Sequence, residues 1–214
     1  MPNIYLTFDD TVCNHATTVA PLLRSYGWSA TFFITRWNEE WRAKHGETLM
    51  DGTQLRQLAA WGFELGNHTI NHLSPKDDPT AYEKQIDDLE QYFIQERLPR
   101  AVSFAYPGGP YNPCAVPILK SRGYRYARIV KHRPLRQGED PFRLPAYAVH
   151  DDQPEQFTAA LAEVRLGHEV ILCYHGVPEL VHPWVHTSPE NFAIQMFQLR
   201  EAGATGMSLG SCNI

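Results

Sequence analysis

The sequence predicts an α/β protein, and within that class a distorted (β/α) barrel of seven or eight strands. Three observations carry this. Short apolar runs alternate with amphipathic segments along the whole chain, as βα units do. The runs are apolar on nearly every residue, as in parallel strands covered on both faces. The unusual polar residues fall at the ends of these runs, where parallel α/β folds carry their sites.

The elements follow in order. "NIYLTFD" reads as the first strand. "TTVAPLLRSYG" has helical spacing and a glycine stop. "SATFFIT" is the second strand, "TQLRQLAAWG" a helix ending at Gly62, and "FELGNHT" a short third strand. "TAYEKQIDDLEQYFIQERL" is the longest helix, with Tyr82, Ile86, Leu89 and Phe93 on one face. "AVSFAYP" is the fourth strand. "PCAVPILKSRG" is a helix, its start expected at Asn112-Pro113, since Asn caps well and Pro suits the first turn. "YRYARIV" is the fifth strand. "KHRPLRQGEDPFRLP" is rich in turn formers and reads as a loop. "AYAVH" and "HEVILCYH" are the sixth and seventh strands, with the helix "PEQFTAALAEVRLG" between them. "GVPELVHPWVHTSPE" is a long loop, "ENFAIQMFQLREAG" the last of six helices, and "TGMSLGS" an eighth strand.

The chain has 214 residues, a net charge of −5, 43% hydrophobic and 20% charged residues. That fits one domain over residues 1–214 with a sizeable core. No block of like charge points to nucleic acid, and no apolar run of membrane-spanning length is present. The opening "MPNIYLTFDD" lacks a basic segment followed by an apolar one. The expectation is a cytoplasmic protein, or an exported one whose leader has been removed. The four cysteines, Cys13, Cys114, Cys173 and Cys212, form no C-x-x-C pair and are expected as free thiols. Nothing in the sequence sets the oligomeric state.

His68 and His72 lie four residues apart beyond the third strand. On a helical turn they would share one face and one cation; otherwise they are two surface histidines. A catalytic zinc usually takes three protein ligands. The Asp9-Asp10 pair at the end of the first strand offers the third, leaving the other carboxylate as a base. A second pair, His182 and His186, sits in a loop with Pro183, which argues against a metal-binding turn. Trp184 in that loop is placed either to stack on a sugar ring or to pack. His150-Asp151-Asp152 reads as a helix cap or loop.

Taken together, "LTFDD", "NHTINH", "FAYPGG" and "LCYH" occur in this order at the ends of strands one, three, four and seven. The chain therefore resembles the polysaccharide deacetylases, the carbohydrate esterases with a NodB-type domain, over residues 5 to about 209. The resemblance implies Asp9 as base, Asp10, His68 and His72 as ligands of a divalent ion, and His175 as the acid that protonates the leaving group. The ion is expected to be Zn²⁺, with Co²⁺ or Ni²⁺ also suited to this ligand set. It implies an acetylated carbohydrate as partner, with Tyr106, Pro107 and Gly108 at the oxyanion and substrate wall. The implied reaction is hydrolysis of an N-acetyl group on a sugar. An O-acetyl xylan esterase, a sugar deformylase and a catalytically silent sugar-binding domain are the alternatives. Three departures stand out. The family's arginine position holds Ala105, its tyrosine position Gly108, and the usual glycine after the paired aspartates is Thr11. Arg128, on the next strand, is the candidate to replace the missing arginine and orient Asp9.

Overall fold

The computed structural model describes residues 2–213. Eight parallel strands, β1 (Asn3–Phe8), β2 (Thr31–Ile34), β3 (Glu64–Asn67), β4 (Ser103–Ala105), β5 (Tyr126–Val130), β6 (Leu144–Ala148), β7 (Val170–Tyr174) and β8 (Thr205–Met207), run in the order β2-β3-β4-β5-β6-β7-β1-β8. A further β1–β2 pairing closes the first seven into a barrel. That closure rests on two residue pairs, Thr7 with Thr31 and Phe8 with Phe32. β8 pairs instead with the beginning of β1, from Asn3 to Tyr5, and fills the gap below the seam.

Strand parity sorts the side chains into two cores. Ile4, Leu6, Phe8, Phe104, Tyr106, Ala127, Ile129, Leu172 and Tyr174 face outward into one large cluster with the helices. Tyr5, Phe33, Ala105, Tyr126, Ala146, Ile171 and Cys173 face inward and fill the barrel with the C-terminal Leu209 and Cys212. Small residues make room inside: a Cβ on Gly66 would lie 2.4 Å from the Phe33 ring. At the bottom, the half-buried Glu64 carboxylate accepts hydrogen bonds from Thr31 Oγ1, Ser103 Oγ and the Gly210 amide at 2.5–2.7 Å.

Seven α-helices cover the sheet: α1 (Ala20–Ser25), α2 (Glu39–His45), α3 (Gly52–Ala60), α4 (Pro79–Gln95), α5 (Ala115–Ser121), α6 (Pro154–Arg165) and α7 (Pro189–Glu201). Tyr82, Ile86, Leu89 and Phe93 are the buried face of α4, and the Asp78 side chain caps its start by accepting from Ala81 N. α2 is one helix more than the periodicity predicts. It buries no residue, so no apolar stripe announces it; the Asn38 cap followed by Glu39-Glu40 is its only mark. β6 starts two residues earlier than expected, because the φ that proline fixes fits extended backbone at Pro145. α5 starts at Ala115, while Asn112 Oδ1 accepts from Cys114 N in the preceding turn. Among the described residues all four cysteines are free, and no helix is long and apolar enough to cross a membrane.

Candidate active site

The C-terminal ends of the barrel strands surround one cavity of about 520 Å³, lined among others by Asp9, Asp10, His68, His72, Arg128 and His175. β1 delivers the two aspartates. Asp9 keeps the inward parity of Tyr5 and Thr7. Asp10 and Thr11 then turn with φ of 73° and 61°, so consecutive carboxylates reach the same mouth instead of opposite faces. The Thr11 hydroxyl donates to Thr35 O and accepts from Thr35 N, both at 2.8 Å, which ties this turn to the end of β2.

The two histidines come from the turn after β3. It is not helical: Thr69 and His72 have φ of 63° and 54°. Side chains hold it instead. Asn67 Oδ1 accepts from Thr69 N, and Thr69 Oγ1 accepts from Leu73 N. His68 Nδ1 donates to Ala105 O at 2.8 Å, which leaves Nε2 with its lone pair toward the cavity. His72 Nε2 lies 3.4 Å and His68 Nε2 3.8 Å from Asp10 Oδ1. Ligand atoms of Asp10, His68 and His72 all fall within 4.8 Å of one another. Burial holds the His68 imidazole below its ordinary pKa. It also pushes His72 down to about 3, with the neighbouring His68 adding to the effect. Both rings are thus neutral donors. Asp10 is pushed the other way by burial and by Asp9, and its Oδ1 is buried with no hydrogen-bond partner. Two neutral imidazoles beside an unpartnered buried carboxylate form a donor set that a divalent cation fits.

Asp9 has the opposite surroundings. Burial opposes its charge, but Arg128, His68 and His175 overcome this and hold its carboxyl well below the usual carboxylate range. Arg128 Nη2 donates to Asp9 Oδ2 at 2.5 Å from a fully buried position, its guanidinium lying 5.4 Å from the Phe33 ring centre. The sheet register relates Arg128 to the position where Ala105 stands. Ala105 on β4 pairs directly with Arg128 on β5, and both point into the barrel. The guanidinium is displaced by one strand at the same height.

His175 follows β7 with inward parity. Its Nε2 lies 4.0 Å from Asp10 Oδ2, and burial lowers its pKa to about 4 against the pull of Asp9 and Glu179. The buried His15 donates through Nε2 to His175 O at 3.0 Å, and Asn14 bonds Val177 N and Pro178 O, so the turn after β1 anchors this loop.

The remaining expected site residues divide. Gly108 lines the cavity with φ of 73°, and Trp184 lines it while 63% exposed. Tyr106 does not: strand parity turns it outward, where it is fully buried and donates to Phe142 O. Pro107 lines a neighbouring groove with Tyr111 and Asn112. Asp151 accepts from Ser188 N, a loop role, while His150 lines the cavity. Sequence reasoning missed three residues. Trp37 packs on His72, the rings tilted by 30° with centres 4.6 Å apart. His182, set aside because of Pro183, has its Nδ1 3.9 Å from Asp10 Oδ2 and packs between Trp37 and Trp184. Glu179 accepts from the amides of Gly176, Val181 and His182 and so shapes the loop that carries His182. Its three bonds are all within its own loop, which no motif marks.

With this geometry in hand, comparison with known proteins decides the family. The family model described as polysaccharide deacetylase matches residues 1–127. The chain belongs to the polysaccharide deacetylase family. Among curated relatives, the poly-beta-1,6-N-acetyl-D-glucosamine N-deacetylase of Staphylococcus aureus is 21% identical over an alignment of 160 residues that covers 70% of this chain. The match spans 55% of that relative's length. Two solved structures show the same fold. An acetyl xylan esterase of family 4 from Clostridium thermocellum, in complex with a cobalt ion, has a TM-score of 0.63 at 21% identity, covering 97% of this chain and 88% of its own. A family 4 carbohydrate esterase pseudoenzyme from Bacillus anthracis has a TM-score of 0.64 at 16% identity, covering 97% and 64%. The deacetylase family thus includes members that act on acetylated sugars and one named as inactive, and the residues around the cavity must carry the rest of the argument.

Proposed function

We propose that this deacetylase-family chain hydrolyses the N-acetyl group of an N-acetylglucosamine-containing saccharide, with a divalent metal, Zn²⁺ by ligand type, held by Asp10, His68 and His72. One observation carries the reading. A carboxylate kept ionised by Arg128, a neutral imidazole and a vacant-lone-pair ligand set converge on the same cavity. A bound divalent ion supplies positive charge that acidifies a water and polarises the acyl carbonyl. Asp9, fully ionised, accepts the proton of the attacking water. Arg128 keeps that carboxylate oriented and its charge uniform over the working pH range. The Gly108 amide, on the cavity wall, is assigned to the developing oxyanion, because the next amide, Gly109 N, is already engaged with Tyr106 O. His175, neutral at rest, relays the proton that Asp9 has taken from the water to the leaving nitrogen, without which an amine departs poorly. Trp184 offers an exposed ring face to the sugar.

Acetate release from β-1,4- and β-1,6-linked N-acetylglucosamine oligomers and from acetylxylan, alongside metal analysis, tests this. Release from the amide substrates, restored by Zn²⁺ or Co²⁺ after chelation, is expected. Release from xylan alone would establish the ester reading instead. In Asp9→Asn, activity should fall by at least ~10²-fold, the scale of a lost general base, while bound metal is retained. Loss of the metal as well would reverse the roles of Asp9 and Asp10.

A further inference from the structure

We propose that the cavity floor contains a second, thiophilic metal site formed by Asp9, Cys173 and His175, and that a soft divalent ion bound there silences the site. The inhibitory consequence rests on the proposed function; the binding itself does not.

Inward parity on β7 sets Cys173 and His175 on the same side, facing Asp9 across the β1–β7 ladder, in which Thr7 pairs with Cys173 and Phe8 with Tyr174. Cys173 Sγ stands 3.6 Å from Asp9 Oδ2. Tetrahedral Zn²⁺ with a sulfur at about 2.3 Å and nitrogen or oxygen at about 2.0 Å separates such ligands by about 3.5 Å. Ligand atoms of all three residues lie within 4.8 Å of one another, and all three line the cavity. Asp9 Oδ1 and His175 Nδ1 are buried without hydrogen-bond partners.

The charges around the cluster define which ions it takes. Arg128 bonds Asp9 Oδ2 and repels a cation, and burial keeps the thiol neutral by raising its pKa. Hard ions that bind oxygen gain nothing here. Zn²⁺ or Cd²⁺ gains a metal–sulfur bond. That bond forms as the S–H bond breaks, and the proton leaves to solvent. The resulting thiolate offsets the Arg128 charge. The site is therefore weaker than the Asp10–His68–His72 set and fills after it, when metal is in excess. Once filled, both the base and the acid of the reaction are ligands and cannot move protons.

Cadmium titration of the metal-free protein tests the binding through the ultraviolet thiolate-to-cadmium charge-transfer band. Two ions per chain are expected, the second bringing the band. His72→Ala should keep the band while losing the first ion. Cys173→Ser should lose the band and bind one ion, although Cys13, Cys114 and Cys212 remain. X-ray absorption on wild-type protein loaded with two cadmium ions should show one sulfur per two metals, whether or not the variants fold. One ion per chain with no band, or a band that survives in Cys173→Ser, overturns the site. Zinc inhibition of acetate release is the separate arm. Cys173→Ser should raise the half-inhibiting zinc concentration at least tenfold relative to its own uninhibited rate. Two cadmium ions with no deacetylation of any substrate would leave this site standing and remove the proposed function. One ion with active enzyme would do the reverse.

Discussion

Replacing Arg128 by Met removes the guanidinium but keeps most of the stem beneath Asp9. In the parent, Arg128 and Asp9 are both buried and bonded to each other. Removing one member of such a pair leaves an uncompensated charge, at a cost of about 3–5 kcal/mol. A second route gives a similar figure. A neighbouring arginine lowers an aspartate pKa by about 1–3 units, and each unit is about 1.4 kcal/mol, so about 1.4–4 kcal/mol is at stake. The sign follows from Asp9. Its folded pKa is depressed, so its stabilising contribution is present above the unfolded value near 3.9 and is lost as pH falls through the folded value. In Arg128→Met, burial acts with less opposition and the pKa rises. The stability gap between parent and variant should thus be widest at neutral pH and narrow in acid. Urea denaturation of the metal-free proteins at several pH values measures this. For a chain of this size the neutral-pH loss corresponds to a fall in Tm of roughly 6–20 °C. In the metal-loaded enzyme the acid limb of kcat/KM should move upward by roughly one unit or more. A neutral-pH difference below about 1 kcal/mol together with an unmoved acid limb would show that Arg128 neither stabilises nor orients the base.

Three further outcomes are expected. Trp184→Ala should leave Tm nearly unchanged, because the ring is already mostly in solvent, and should raise KM by up to roughly tenfold with little change in kcat, the loss of about 0.5–1.5 kcal/mol of ring contact; an unchanged KM on oligosaccharides would exclude Trp184 from the substrate. Gly109→Ala should destabilise by about 1–3 kcal/mol. Its φ is 94° and the new Cβ would lie 2.9 Å from Val130 Cγ2, so Val130→Ala in the same chain should recover part of the loss in a thermal melt. Glu179→Gln strands one of three loop amides and should cost about 1–3 kcal/mol near neutral pH. Burial raises the Glu179 pKa, but bonds from Val181, Gly176 and His182 prevail and lower it. Its contribution is therefore present above about pH 4.3 and fades as pH falls further, and a pH-independent difference would contradict that account.

The fold was legible because parallel strands buried on both faces leave apolar runs, and each run in the sequence became a strand. The site residues on or just past strands, Asp9, Asp10, His68 and His175, could be placed because parity and strand ends carry the information. Tyr106 shows the same rule ignored. It follows Phe104 by two positions on an outward face, and counting parity from Ala105 would have turned it away from the cavity. The sequence offers only the position of Arg128 on the strand after Ala105; the register pairs the two residues and brings the guanidinium to Asp9. His182, Trp37 and Glu179 were out of reach, since loops without periodicity place them, and the bonds that shape the His182 loop run from its amides to the Glu179 carboxylate, which no motif marks. α2 lacked a buried face and so lacked a pattern, although its cap and charges were on view.

Thr11 has a left-handed backbone, which disfavours any branched side chain. The hydroxyl gives back two hydrogen bonds to Thr35, just beyond the two residue pairs that close the barrel. The residue therefore acts as a latch on the seam. Thr11→Gly relaxes the turn yet unhooks the rim, so local opening there should appear as faster amide hydrogen exchange at Thr35 with little loss of global stability. Thr11 thus serves the short joint that closes the barrel rather than the reaction.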